Sequence, residues 1–166
     1  MNFLNELNNI KKLILRKENI YFALLAVIIF FFDRTSKVEI LENFNNNSYF
    51  LNNFINLNLI WNTGIGFGLL SSNSTIVYSL ITFLIGLVIL ILFYITIISS
   101  KFDKLIYSII IGAACGNFYD RLIYNAVPDF IDLHYKNFHW FTFNVADIFI
   151  TFGIMIFIIR SFFIKN

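Results

Sequence analysis

The sequence predicts an all-α membrane protein of four transmembrane helices, with a small extracytoplasmic β-rich cap between helices 1 and 2 and an extracytoplasmic loop between helices 3 and 4. Its 166 residues are 58% hydrophobic and 13% charged, with a mean hydropathy of +0.75, whereas soluble domains carry roughly 25% charged residues. The run Ile76–Ile98 contains no charge over 23 residues, and about 20 such residues cross a bilayer as a helix. Three shorter apolar runs reach that length when polar neighbours join the helix.

The first shorter run, Ile20–Phe32, follows the basic stretch KKLILRK and has the length of the apolar part of a signal peptide. No small-residue cleavage site follows this run. Instead comes DRTSKVEIL, which can continue a helix, so we predict a retained anchor over about residues 18–40. The run Ile76–Ile98 is the second helix, and the runs Leu105–Tyr119 and Ile148–Ile159 predict the third and the fourth.

The segments between the helices differ from the apolar runs. After Asn45–Asn47, which predict a loop, FINLNLIW alternates apolar and polar residues, as a half-buried strand does. NTGIGFG then has three glycines in seven residues, which permit turns and close backbone approach. The segment YNAVPDFIDLHYKNFHWFTFN contains the one proline and many aromatics. We interpret both segments as caps at the membrane surface of a single domain, residues 1–166.

The distribution of basic residues predicts the orientation, because Lys and Arg are enriched on the cytoplasmic side. With both termini in the cytoplasm, the inner segments hold eight of the twelve Lys and Arg residues. The sequence has no basic patch interleaved with aromatics, so we predict no nucleic-acid partner. His134 and His139 lie in aromatic surroundings typical of a membrane interface, and we predict no metal.

Three predicted helix ends bring polar pairs to the same outer depth. The pairs are Asp33 with Lys37, Asn117 with Arg121, and Asn144 with Asp147. A spacing of three or four residues puts both members of a pair on one helix face. Because charged groups that face lipid are costly, we expect these pairs to face one another. The sequence therefore predicts a polar site at the outer end of the helices.

These features also have interpretations without chemistry. Asn144 followed by Asp147 fits a helix N-cap with an acid in the first turn, a cap that contributes about 0.5 to 2 kcal/mol. Asp33 with Lys37, or Arg121 beside Asp120, fits an interfacial ion pair without a chemical role. Asp129, in AVPDFID, is predicted as a loop carboxylate with no helix to cap. A small membrane transporter or proton-relay subunit would also gather acids, but nearer to mid-membrane, and a structural membrane protein would need no such convergence.

Five segments carry a resemblance to a known family. FFDRTSK, NTGIGFG, GAACGNFYDR, VPDFID and FNVADIF, in this order, resemble the motifs of bacterial lipoprotein signal peptidases, also called signal peptidase II, from about Phe32 to Gly153. The resemblance implies an aspartic endopeptidase of the bacterial inner membrane, with no metal or other cofactor and its active site near the extracytoplasmic face. It would cleave prolipoproteins just before a diacylglyceryl-cysteine, in contact with membrane lipids.

The resemblance also implies roles for individual residues. Asp129 and Asp147 match the catalytic aspartates, which would share a proton so that one activates water and the other polarises the scissile carbonyl. Seven residues match positions that support the site or bind substrate: Asp33, Lys37, Asn62, Gly64, Asn117, Arg121 and Asn144. Ala113, Asn125 and Pro128 depart from the family's usual residues. Asn125 stands where glycine is usual, and Asn is a residue that tolerates a left-handed backbone.

Overall fold

A computed structural model describes residues 11–43, 48–64 and 75–163. Within these ranges the chain forms four long helices and four strands. In chain order they are α1 (Lys17–Asn43), β1 (Tyr49–Asn52), β2 (Ile55–Asn62), α2 (Thr75–Ile98), α3 (Lys101–Tyr124), β3 (Val127–Tyr135), β4 (Phe138–Phe143) and α4 (Val145–Phe163). The predicted loop at residues 45–47 lies outside the described residues.

All four predicted helices are present, and each extends beyond its apolar run. α2 and α4 are long and apolar enough to cross a membrane by length and composition. α1 and α3 have 27 and 24 residues, about 40 and 36 Å at 1.5 Å per residue, against a hydrocarbon core of about 30 Å. Their buried charged side chains lower their hydropathy. Four membrane crossings therefore stay a prediction.

The centre of the bundle is α3, which packs against the other three helices. Two glycines four residues apart let α3 approach α1 closely, as small residues do in membrane helices. A Cβ atom at Gly112 would lie 2.3 Å from the carbonyl oxygen of Ala26, and one at Gly116 would lie 2.2 Å from Oδ2 of Asp33. The contact at Gly116 brings the carboxylate of Asp33 against α3.

Replacing Gly116 with alanine should destabilise the bundle, because the new methyl group overlaps the Asp33 carboxylate. We expect the free energy of unfolding to fall by about 1 to 3 kcal/mol, the usual cost of overpacking, as measured by thermal unfolding in detergent. Gly86→Ala is the matched control, since its Cβ would meet only the Phe118 ring, at 3.1 Å. Equal stability losses in the two variants would contradict this account of the α1–α3 contact.

The strands form one antiparallel sheet in the order β1-β2-β3-β4. β2 confirms the strand predicted from FINLNLIW. The predicted loop between helices 3 and 4 is wrong, because this segment forms the hairpin of β3 and β4, and β3 also pairs with β2. β3 is largely buried on both faces, so its sequence lacks the alternation that marks a half-buried strand. Asp129, expected in a loop, lies in this central strand.

A left-handed residue connects α3 to the sheet. Asn125 caps the C-terminus of α3 with φ 55° and ψ 22°, a conformation that Asn tolerates better than most residues. This confirms the expectation for Asn125. The chain reverses there and enters β3 at Val127, so that Asp129 lies close to the C-terminal end of α3.

The histidines lie on the β3–β4 hairpin. The rings of His134 and His139 stack with centroids 5.3 Å apart, and His139 Nδ1 lies 2.7 Å from Asp132 Oδ2, a partner that the sequence did not predict. Among the residues the structure describes, no group of three or more His, Cys, Asp or Glu side chains is arranged to hold a metal ion.

Candidate active site

Asp129 is held by amide groups from two directions. Its carboxylate is buried, with Oδ2 accepting a hydrogen bond from Asn62 Nδ2 at 2.8 Å and Oδ1 accepting one from Asn144 Nδ2 at 2.6 Å. The Asn62 amide is itself oriented, because its Oδ1 accepts a hydrogen bond from the Gly64 N–H at 2.8 Å. The end of β2 and the start of α4 therefore fix the position of Asp129.

Asp147 lies in the first turn of α4. Its Oδ1 accepts a hydrogen bond from Asn117 Nδ2 at 2.9 Å, and its Oδ2 accepts one from the Asn144 N–H at 3.1 Å. The Asp147 N–H donates to Asn144 Oδ1 at 3.1 Å, which confirms the N-cap predicted from their spacing. Asn144 therefore bonds to both carboxylates, through its side chain to Asp129 and through its backbone to Asp147.

The two carboxylates influence each other electrostatically. Burial raises the pKa of Asp129 to about 7, the negative charge of Asp147 raises it as well, and hydrogen bonds from Asn62 and Asn144 oppose these effects. Acids that interact in this way lose their protons as a pair, in two separated steps. The pair can therefore retain one proton close to neutral pH.

A buried lysine orients the amide that faces Asp147. Lys37 Nζ donates to Asp33 Oδ2 and Asn117 Oδ1, each at 2.7 Å. It also lies 2.7 Å from Asp120 Oδ2, in an ion pair that lacks good hydrogen-bond alignment. Because an ammonium group has only donors, the amide oxygen of Asn117 must face Lys37. Its Nδ2 is then directed at Asp147.

Two further contacts tie the helix ends together. Asp33 Oδ1 accepts a hydrogen bond from the Ala146 N–H at 3.0 Å, so α1 caps the N-terminus of α4. Arg121 donates from Nη1 to the Asn117 carbonyl at 3.1 Å and from Nη2 to the Gly64 carbonyl at 2.7 Å. The bond to Asn117 lies within α3, and the bond to Gly64 connects α3 to the segment that follows β2.

All nine residues singled out from the sequence belong to one hydrogen-bonded network. Seven of them form a closed ring: Asn117, Asp147, Asn144, Asp129, Asn62, Gly64 and Arg121. Lys37 bonds to Asn117 of this ring, and Asp33 bonds in turn to Lys37. The expectation that the polar helix ends face one another is therefore correct. Gly66 and Gly68 of NTGIGFG lie outside the described residues.

Two charged residues within the motifs, Arg34 and Asp120, were not assigned to the site from the sequence. Asp120 is fully buried and pairs with Arg34 as well as with Lys37. With these two included, the described part of the site contains four acids and three bases: Asp33, Asp120, Asp129 and Asp147, with Arg34, Lys37 and Arg121. A single proton on the acids makes this group electrically neutral. The sequence did contain a signal for them: Arg34 is adjacent to Asp33 in FFDR, and Asp120 is adjacent to Arg121 in FYDR.

Comparison with known proteins assigns the chain to a family. The profile of the family described as Signal peptidase (SPase) II matches residues 25–163, a range that includes every residue of the network. The chain belongs to the signal peptidase II family. The resemblance indicated by the five motifs is thereby confirmed.

Relatives with the name Lipoprotein signal peptidase match this signal peptidase II chain over most of their length. The protein of Pelagibacter ubique (strain HTCC1062) is 45% identical over 153 residues, covering 90% of this chain and 92% of the relative. That of Francisella tularensis subsp. novicida (strain U112) is 39% identical over 120 residues, covering 70% and 74%.

The fold also matches solved structures. Two structures of bacterial membrane enzymes superpose with a TM-score of 0.71 at 30% and 27% sequence identity. They cover 86% and 85% of this chain, and 87% and 92% of their own chains. The helix bundle with its four-stranded sheet is therefore a fold that this signal peptidase II chain shares with membrane enzymes.

Proposed function

We propose that this chain is a membrane aspartic endopeptidase that removes the signal peptide from diacylglyceryl-modified prolipoproteins, cleaving just before the lipidated cysteine. Membership of the signal peptidase II family supports the substrate class. One observation supports the catalytic pair: Asn144 bonds to Asp129 with its side chain and to Asp147 with its backbone. The charge of Asp147 also raises the pKa of Asp129, which supports two acids that act together.

In the proposed mechanism, the pair begins the reaction with one proton. The ionised carboxylate takes a proton from water as the water oxygen attacks the scissile carbonyl carbon, and the protonated carboxyl donates its proton to the carbonyl oxygen. The tetrahedral intermediate then collapses: the C–N bond breaks, the leaving amine takes up a proton from one carboxyl, and a hydroxyl group of the intermediate returns its proton to the other carboxylate. Asp129 and Asp147 end the cycle with one proton between them.

The other network residues position this pair. Three asparagines orient the carboxylates, and each has its own amide fixed by a further contact: Asn62 by Gly64, Asn117 by Lys37, and Asn144 by Asp147. Such a preorganised set of dipoles lowers the reorganisation needed during the reaction. We propose that Arg121 and Gly64 hold the segment after β2 in place, where substrate backbone would bind.

An apolar cavity supports lateral entry of the substrate. It has a volume of about 680 Å³ and runs between α2, α3 and α4. Ile150 and Ala114 line it, and each lies three residues, almost one helical turn, from a network residue, Asp147 and Asn117 respectively. A signal peptide or an acyl chain that arrives from the lipid would therefore reach the pair without crossing water.

The site would lie at the extracytoplasmic face of the bacterial inner membrane, with four crossings and both termini in the cytoplasm. Basic residues support this orientation: Lys101, Lys104 and Arg160 all lie at the end of the bundle opposite to the sheet, and cytoplasmic ends are enriched in Lys and Arg.

The proposed orientation predicts the accessibility of single cysteines. In a Cys115→Ser background, Asn137→Cys at the exposed β3–β4 turn should react with a membrane-impermeant maleimide in intact spheroplasts. Lys101→Cys, which is exposed at the opposite end, should react only after the cells are lysed. The reverse pattern would show that the orientation is wrong.

The substrate class is tested with the purified protein and a prolipoprotein, before and after diacylglyceryl transfer to its cysteine. Mass spectrometry should show that the modified precursor is cut just before the lipidated cysteine and that the unmodified precursor stays intact. A metal chelator should leave the rate unchanged, because the proposed chemistry uses carboxylates alone. Equal cleavage of both precursors would refute the proposed specificity, and inhibition by the chelator would refute the proposed chemistry.

A further inference from the structure

Arg34 is a charged residue of α1 that is in contact with α3. Its guanidinium forms an ion pair with Asp120, and its side chain is 11% exposed while that of Asp120 is fully buried. The guanidinium also lies 4.8 Å from the ring centroid of Tyr119 and 6.0 Å from that of Tyr124, distances at which cation–π attraction operates. Arg34 is thus a permanent cation held by one acid and two aromatic rings.

One route connects Arg34 to Asp147. Asp120 contacts Arg34 with Oδ1 and Lys37 with Oδ2, and Lys37 bonds to the Asn117 amide that faces Asp147. Without Arg34, Lys37 would be the one cation on Asp120 among the described residues. Asp120 would then compete with Asn117 for the ammonium group, and the orientation of the Asn117 amide would loosen.

A second route connects Arg34 to Asp129. The Tyr124 ring packs on Trp61, with centroids 5.5 Å apart. Trp61 precedes Asn62, whose side chain donates to Asp129. Arg34 is therefore connected to both aspartates of the pair through two separate series of contacts.

We propose that Arg34 is a positioning residue for peptide hydrolysis, because it neutralises Asp120, keeps Lys37 bonded to Asn117 and so sets the charge and the orientation of the Asp129/Asp147 pair. This inference rests on the proposed function. It concerns a residue outside the hydrogen-bonded ring, with no direct contact to either aspartate of the pair in the structure.

The surroundings of the pair determine how a change of charge should act. Its titratable and charged neighbours in the described residues are Asp33, Arg34 and Lys37 from α1, Tyr78 from α2, and Asp120 and Arg121 from α3. Removing a positive charge from this group favours the protonated form of nearby acids, and removing a negative charge favours the ionised form. Variants of Arg34 and Asp120 should therefore shift the pH dependence of cleavage in opposite directions.

The test compares the pH profile of kcat/KM for four variants on the lipid-modified prolipoprotein. Arg34→Met should move both limbs of the profile to higher pH, by roughly half a unit or more, and lower kcat several-fold. Asp120→Asn should move the profile to lower pH. Arg34→Lys keeps the charge and should keep the wild-type profile. The double variant Arg34→Met/Asp120→Asn removes one charge of each sign and should return the profile towards that of the wild type.

A purely structural role for Arg34 would give a different result. Activity would then fall equally at every pH, with the profile unmoved in both Arg34→Met and Asp120→Asn, and this outcome overturns the inference. If Arg34→Met fails to accumulate, the other two variants still test the inference: the pH profile should move to lower pH in Asp120→Asn and should stay unmoved in Arg34→Lys. A wild-type enzyme without a two-limbed profile would instead refute the proposed catalytic pair, and the role of Arg34 with it.

Discussion

Asp129→Asn and Asp147→Asn should each abolish removal of the signal peptide while the protein still folds and inserts. An amide can neither take a proton from water nor donate a carboxyl proton to the scissile carbonyl, so an Asn in either position leaves one acid where the mechanism needs two. We expect cleavage of lipid-modified prolipoprotein to fall by at least about a thousandfold, equivalent to about 4 kcal/mol of transition-state stabilisation. The measurement is single-turnover cleavage by purified enzyme.

Asp132→Asn is the matched control for this experiment. Asp132 lies three residues after Asp129 in the same strand and is also buried, but its side chain pairs with His139 and forms no hydrogen bond to the ring of seven residues. This variant should cleave within a few-fold of the wild-type rate, and all three variants should unfold within a few degrees of wild type. Full processing by either catalytic variant, or an equal loss in Asp132→Asn, would contradict the assignment of the pair.

Lys37→Met should produce the largest loss of stability. The substitution leaves the buried carboxylate of Asp33 without a cation at hydrogen-bond distance and leaves Asp120 with Arg34 alone. Removing one partner of a buried ion pair typically costs about 3 to 5 kcal/mol. Asn117 also loses the contact that orients its amide, so the kcat of any folded fraction should fall. Thermal unfolding in detergent and cleavage kinetics measure the two effects separately.

Lys101→Met provides the comparison at the opposite end of the bundle. Lys101 pairs with Glu18 at 2.8 Å, but their side chains are 76% and 42% exposed, and exposed ion pairs contribute little to stability. This variant should unfold at nearly the wild-type temperature and should cleave normally. Similar unfolding temperatures for Lys37→Met and the wild type would show that the buried network is not a major source of stability.

The helices could be predicted because their signals are local. An uncharged run such as Ile76–Ile98 is long enough to specify a helix by itself, and the spacing of Asn144 and Asp147 specifies a cap. The same spacing could not predict that Asn144 also reaches Asp129, 15 residues earlier. That bond depends on the position of β3, and the pairing of strands that are distant in sequence cannot be predicted from any short segment of the chain.

The second half of the sheet was missed for a physical reason. β3 is paired on both sides and buried on both faces, so VPDFIDLHY reads as a mixed apolar segment without alternation. Arg34 and Asp120 were not assigned to the site because each has its partner on the other helix. A charged residue next to a site residue in sequence usually points to solvent. Here the packing of α1 on α3 buries the pair of Arg34 and Asp120.

The pH dependence of kcat/KM for the wild-type enzyme tests the central claim most directly, namely that Asp129 and Asp147 act with one shared proton. Burial raises the pKa of Asp129 to about 7, so the pair should lose its last proton as the pH rises through about that value, and activity should decline above it. Activity should also decline at acidic pH, where both carboxyls are protonated and no base remains. A profile that stays flat, or that rises from pH 7 to 9, would contradict the shared-proton mechanism.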